Sequence, residues 1–139
     1  MELGRLNHVG FATPDMDGAI RHWREVMGAA QIGTPFAMPE QGVLVCFVDT
    51  PGGGTQIELI APLGEGSPLH GFLARNPHGG QHHLAFEVPD IHAAHAFFTA
   101  QGKRVLGEIR MGAHGVPVFF LHPRDMGGLL TEIMETPPG

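Results

Sequence analysis

The 139 residues suffice for one domain of ordinary size, or for two small halves sharing a core. A formal charge of −6 and a pI near 5.9 argue against non-specific binding to nucleic acid or anionic membrane. Cys46 is the single cysteine and no run approaches 18 apolar residues, which excludes a disulfide framework, a thiolate metal cluster and a spanning helix, and a soluble cytoplasmic protein is expected.

In chain order, LNHVGFA reads as a strand, Pro14-Asp15 as a turn, and 15–27 as a helix capped by Asp15 and ended at Gly28. Its apolar stripe is Ala19, Ile20, Trp23 and Met27. A short strand fits about 30–34; VLVCFVD (43–49) and TQIELI (55–60) are strands flanking the PGGGT turn. The connector 61–80 holds a short helix over 68–75. The plan then repeats. HHLAFEV is a strand, Pro89-Asp90 a turn, and 90–101 a helix ending at Gly102, with Ala93, Ala94, Phe97 and Phe98 as its stripe. A short strand at 103–107, VPVFFLH (116–122), the MGG turn and LLTEIM (129–134) complete it.

His8, Phe11 and Pro14-Asp15 thus meet His83, Phe86 and Pro89-Asp90 at an offset of 75, and Glu58 meets Glu132 at 74. The expected fold is α+β: one domain over 1–139 with internal repeats 1–75 and 76–139, as two paired βαβββ modules. Their strands form an open, curled, barrel-like mixed sheet with helices outside. Strand alternation puts His8 opposite Val9 and Phe11, and His83 with Ala85 and Glu87, opposite Leu84, Phe86 and Val88. Large apolar residues then face the helices, and the histidines face the inside of the curl.

Glu58 and Glu132 each interrupt an apolar run, where a buried carboxylate is costly unless paired, hydrogen-bonded or metal-bound. A solvated edge-strand face would explain either one alone. Two histidines and two carboxylates at repeat-matched positions instead point to a divalent metal site of His8, Glu58, His83 and Glu132. Mixed imidazole and carboxylate ligation suits several divalent ions and does not choose among them. Four protein ligands on a six-coordinate ion leave two positions open, which suits chelation of a substrate through two oxygens. The other features read as structural. His92 and His95 lie on a solvated helix face, His22, His70 and His78 on the surface, and His82 is packed or hydrogen-bonded. Cys46 is a buried strand residue, and PGGGT is a turn between strands, unlike a phosphate loop.

The segments LNHVGFAT, PEQGV, IELIAPLGEGSPLHGFL, GGQHHLAFEVPDI, MGAHGVPVFFLHPRDMGG and LLTEIME resemble the vicinal oxygen chelate superfamily (glyoxalase, bleomycin resistance and dioxygenase proteins), and within it the methylmalonyl-CoA epimerase family. The resemblance covers nearly the whole chain. It implies a homodimer and one divalent ion per chain (Co2+, Mn2+, Zn2+, Ni2+ or Mg2+) on His8, Glu58, His83 and Glu132. It implies inversion at C2 of a 2-methylmalonyl thioester, with ethylmalonyl-CoA as a further candidate, Glu132 as one base, and Glu58 or a water as its opposite number. In some such epimerases glutamine stands at the position of Glu58 and a further glutamate at that of Val45, so one commonly assigned base is missing here; Glu40 lies nearby in sequence. Gly112, His114 and Gly115, with His122 and Arg124, are the expected contacts of an acyl-CoA. A glyoxalase I type lyase and a metal-free binding protein of the same fold are the alternatives. Substrate turnover separates the first and metal content the second.

Overall fold

The computed structural model describes residues 1–139, with nine strands and three α-helices. The chain folds as two compact units, His8–His82 and Met1–Asn7 together with His83–Gly139. In the first unit, β1 (Leu6–Ala12), from His8 on, leads to α1 (Met16–Arg21), a π-helical turn (His22–Val26), β2 (Gln31–Ile32), β3 (Phe36–Met38), β4 (Val43–Asp49), β5 (Gln56–Pro62) and α2 (Leu69–Arg75). Its strand order is β2-β4-β5-β1, with β3 also on β4. In the second unit, β6 (Gly80–Val88), α3 (Ile91–Ala100), β7 (Val105–Met111), β8 (Pro117–Leu121) and β9 (Thr131–Glu135) give the order β6-β9-β8-β7. In both, the strand before the helix pairs parallel with the last strand, β1 with β5 and β6 with β9, and the intervening strands are antiparallel. The repeated plan read from the sequence is therefore present. No helix is long and apolar enough to cross a membrane.

Local chemistry explains where the helices begin and end. The Asp15 carboxylate accepts the Gly18 N–H at 3.1 Å, and that of Asp90 accepts the N–H groups of His92 and Ala93 at 3.0 and 3.1 Å. Such caps each contribute about 1 kcal/mol by satisfying donors that the helix cannot. Gly28 and Gly102 have φ of 75° and 76°, the left-handed conformation that ends a helix without Cβ strain.

The first helix is not continuous over 15–27. Beyond Arg21 it widens into the π turn, with Met27 N–H donating to His22 C=O. One extra residue in a turn rotates everything that follows. Trp23 keeps its place on Phe11, ring centroids 6.2 Å apart, while Met27, assigned to the apolar stripe, is 58% exposed. The stripe of α3 is also corrected. Ile91, Ala94 and Phe98 are buried, Ala93 and Phe97 are exposed, and His95 is half-buried with its ring edge-on to Phe119 at 5.2 Å. Burying Ile91 directly after the cap sets this phase, because positions three and seven residues on then share its face. The strand β3, three residues flanked by Pro35 and Pro39, lies where the sequence predicts no element. The short strand expected at 103–107 runs instead from Val105 to Met111, with a register shift against β8 between Leu106 and Arg110 where Gly107 has φ of 78°.

Each unit has its own core. Met16, Cys46, Val48, Leu59 and Ala61 form the first, with Phe11, Ile20 and Trp23 packed against it. Val88, Ile91, Ala94, Phe98, Phe119, Leu121 and Ile133 form the second, with Phe86 against it. Phe11 and Phe86 thus lie on the helix side of their strands, as alternation requires. Cys46 is fully buried with its thiol 3.3 Å from Gly33 C=O, and burial pushes its pKa up, so it is a packed residue and no nucleophile.

Candidate metal centre and substrate contacts

With the phenylalanines committed to the cores, the alternate residues of β1 and β6 carry the polar chemistry. In the first unit, Gly10 of β1 pairs with Glu58 of β5, which sets His8 and Glu58 on one face. His8 Nε2 lies 3.5 Å from Glu58 Oε2. In the second unit, Ala85 pairs with Glu132, and His83 Nε2 lies 3.2 Å from Glu132 Oε1. The Phe120 ring stands edge-on to His83 at 5.6 Å and fixes the imidazole plane. Burial is nearly complete: His8 and His83 are 0% and 2% exposed, and both glutamates 6%. Solvated faces of edge strands therefore do not describe these carboxylates.

The donor set fits a divalent ion. Imidazole nitrogen and carboxylate oxygen each bind such an ion at about 2.0–2.2 Å, so two adjacent ligands stand about 3.0–3.5 Å apart. Both His–Glu pairs have that spacing, and His8, His83 and Glu132 each offer a buried ligand atom.

The residues expected to contact substrate lie at the two ends of β8. Gly112, His114 and Gly115 form the turn before β8, while His122 and Arg124 follow it. The five residues of β8 separate the two groups by roughly 17 Å. Gly112 is where backbone must approach closely, since a Cβ there would sit 2.7 Å from Val118 Cγ1. His122 uses Nδ1 to accept the Arg124 N–H at 3.0 Å, which leaves only its Nε2 for a ligand. Arg124 is exposed, and next to it Arg104 holds the Asp125 carboxyl down to about 2 through paired hydrogen bonds. Val45 is buried in β4; it shares a strand face with Phe47, which pairs with Glu58, so an apolar side chain stands on the carboxylate's face. Glu40 is exposed in the 3-10 turn Pro39–Gln41. His82 is half-buried against Phe72, and His22, His70, His78 and His92 are exposed.

Sequence reasoning passed over Glu87. It is 4% exposed, and its Oε2 accepts Arg5 Nε and Asn7 Nδ2, each at 2.8 Å. Burial alone would raise its pKa, but the hydrogen bonds from Asn7 and Arg5 and the charges of Arg5 and His114 hold it below the ordinary carboxylate range. The signal was legible: an acid in an apolar strand, on the same alternation as His83.

Duplicated βαβββ units, each with a buried His–Glu pair at the same position, define a class of protein in which two modules present matching candidate ligands. The chain belongs to the Glyoxalase/Bleomycin resistance/Dioxygenase superfamily, whose family model matches residues 7–120. It is 50% identical over 135 residues to the ethylmalonyl-CoA/methylmalonyl-CoA epimerase of Cereibacter sphaeroides, covering 96% of this chain and 98% of that one. The mitochondrial methylmalonyl-CoA epimerase of Bos taurus is 47% identical, with 96% and 75% covered. A variant of the Streptomyces coelicolor methylmalonyl-CoA epimerase, solved in complex with 2-nitronate-propionyl-CoA, has the same fold, with a TM-score of 0.87 at 34% identity over 99% of this chain and 100% of that one.

Proposed function

We propose that this chain is an isomerase that inverts C2 of methylmalonyl-CoA, and of ethylmalonyl-CoA where the longer substituent is accommodated. The observation that carries the reading is the pair of buried His–Glu sets at matching positions of the two modules, in a chain half identical to an epimerase along its length. Repeats 1–75 and 76–139 act as one domain, with His8, Glu58, His83 and Glu132 holding one divalent ion per chain. That ion, when bound, supplies Lewis-acid stabilisation of negative charge developing on the thioester oxygen. Glu132 removes the C2 proton from one face. The C–H electron pair delocalises into the thioester carbonyl, and C2 becomes planar. A proton then returns from the opposite face, delivered by Glu58 or by a water that it orients. Val45 carries no titratable group, so it cannot supply the second base.

A protein of this kind acts in the cytoplasm on a small acyl-CoA, as a homodimer, and has no nucleic acid or membrane partner. One epimer of methylmalonyl-CoA, incubated with protein and Co2+ in heavy water, should become a mixture of both with deuterium at C2, followed by NMR. Absence of exchange with any of Co2+, Mn2+, Zn2+, Ni2+ or Mg2+, together with lactoylglutathione formation from methylglyoxal and glutathione, would overturn the assignment in favour of a lyase.

The two groups of substrate contacts divide the work along an elongated ligand. The turn at Gly112, His114 and Gly115 takes one part of the acyl-CoA, and His122 Nε2 with Arg124 takes another, where the guanidinium meets a phosphate of the CoA arm. Arg124 is exposed, so its attraction to phosphate is screened by water and salt. Arg124→Ala should therefore raise KM by about 3- to 10-fold and leave kcat unchanged, with the difference shrinking as salt is added. Steady-state kinetics at two ionic strengths checks this.

A further inference from the structure

Glu87 lies outside the four candidate ligands, yet it is as deeply buried as they are. Everything it holds lies within one unit, in the segment that leads to His8. Gly4 N–H donates to Glu87 C=O at 2.7 Å, and Glu87 N–H donates to Arg5 C=O at 3.0 Å. The side chain closes over the same segment, its Oε2 accepting both Arg5 Nε and Asn7 Nδ2. A Cβ on Gly4 would stand 2.7 Å from Glu87 C=O, so the backbones approach too closely there for any other residue. The first unit begins at His8, so Asn7 is the last residue of this clamp and the peptide bond after it carries the candidate ligand.

We propose that Glu87 is a positioning residue for the metal centre: through Asn7 it fixes the chain entering His8 to the strand that carries His83. The inference rests on the reading of His8 and His83 as ligands. Arg5 Nε reaches the same oxygen from a side chain 58% exposed, so water and salt weaken its share, and Asn7 is the buried half of the clamp. An Asn amide donating to an ionised carboxylate in a dry setting is a strong, directional bond, and it leaves the preceding backbone little freedom. Outer groups that orient ligands typically alter metal affinity by 10- to 100-fold.

The test is Co2+ binding to the full chain, followed by chelator competition and by the visible absorption of the bound ion, with thermal melting of the metal-free protein alongside. Glu87→Ala should weaken Co2+ binding by about 10-fold or more and change the absorption bands, because the geometry at the ion changes. Glu87→Gln keeps an oxygen able to accept from Asn7, so it should recover most of the affinity and the parent spectrum. Asn7→Ala should reproduce the loss seen with Glu87→Ala, and it serves if that variant does not fold. A clamp that merely supports the fold would lower the melting temperature of Glu87→Ala and leave the affinity and bands of the parent. That outcome, in either alanine variant, overturns the inference alone. A parent protein that binds no Co2+ overturns the metal reading and this inference with it.

Discussion

Glu132→Gln should bind its metal as the parent does and lose inversion by about 10²–10⁴-fold, the usual cost of removing a general base. Glutamine keeps an oxygen that can ligate, so the pairing with His83 Nε2 at 3.2 Å can survive. It cannot accept a proton at neutral pH. Loss of kcat with unchanged metal content therefore separates the two roles of one side chain. Deuterium exchange sharpens the result. With the base gone from one face only, exchange should persist from the epimer whose C2–H faces Glu58 and vanish from the other. Glu58→Gln should be milder, because a solvent water can deliver the proton on that face in place of the carboxylate. If Glu132→Gln epimerises within about tenfold of the parent, well short of the loss expected for a general base, Glu132 is a ligand only. The exposed Glu40 would then be the next residue to test.

His83→Ala should lose both the metal and all measurable epimerisation while remaining folded. On the proposed assignment, the variant keeps three of four ligands and has lost a nitrogen donor that water replaces poorly. The fold has less at stake. His83 packs against Phe120 outside the cluster around Phe119 and Ile133, so its loss opens a small cavity beside Glu132 without touching the main core. Glu132 is then left buried without its imidazole, which costs about 1–3 kcal/mol unless water enters. The melting temperature should fall by several degrees with the transition still cooperative. Metal analysis of the purified variant, a thermal melt and a turnover assay together decide it. Parent-like metal content in His83→Ala would remove this residue from the centre.

The parts legible from sequence were those governed by short-range rules. A helix cap, a glycine stop and strand alternation act over a few residues, so Asp15, Asp90, Gly28 and Gly102 announced their roles. Repetition did the rest: one histidine in a strand means little, but a histidine and a glutamate repeated in two modules, at offsets of 75 and 74, point to a candidate site. The errors came from phase. Whether Met27 is buried depends on a single added residue in the turn at 22–26, and periodicity in sequence does not register it. In α3 the inward face was fixed by how Ile91 seats after its cap, and the alternation of alanine and phenylalanine permitted two choices.

By itself, the sequence determined the class of fold, the two modules and the four matched side chains, because each follows from local periodicity and repetition. Only the tertiary structure decided that both glutamates are buried beside their histidines, since burial depends on which strands come to lie next to one another. It alone gave Glu87 its partners. Arg5 and Asn7 lie some eighty residues earlier in the chain. No local rule spans such a distance; only the pairing of distant backbone does.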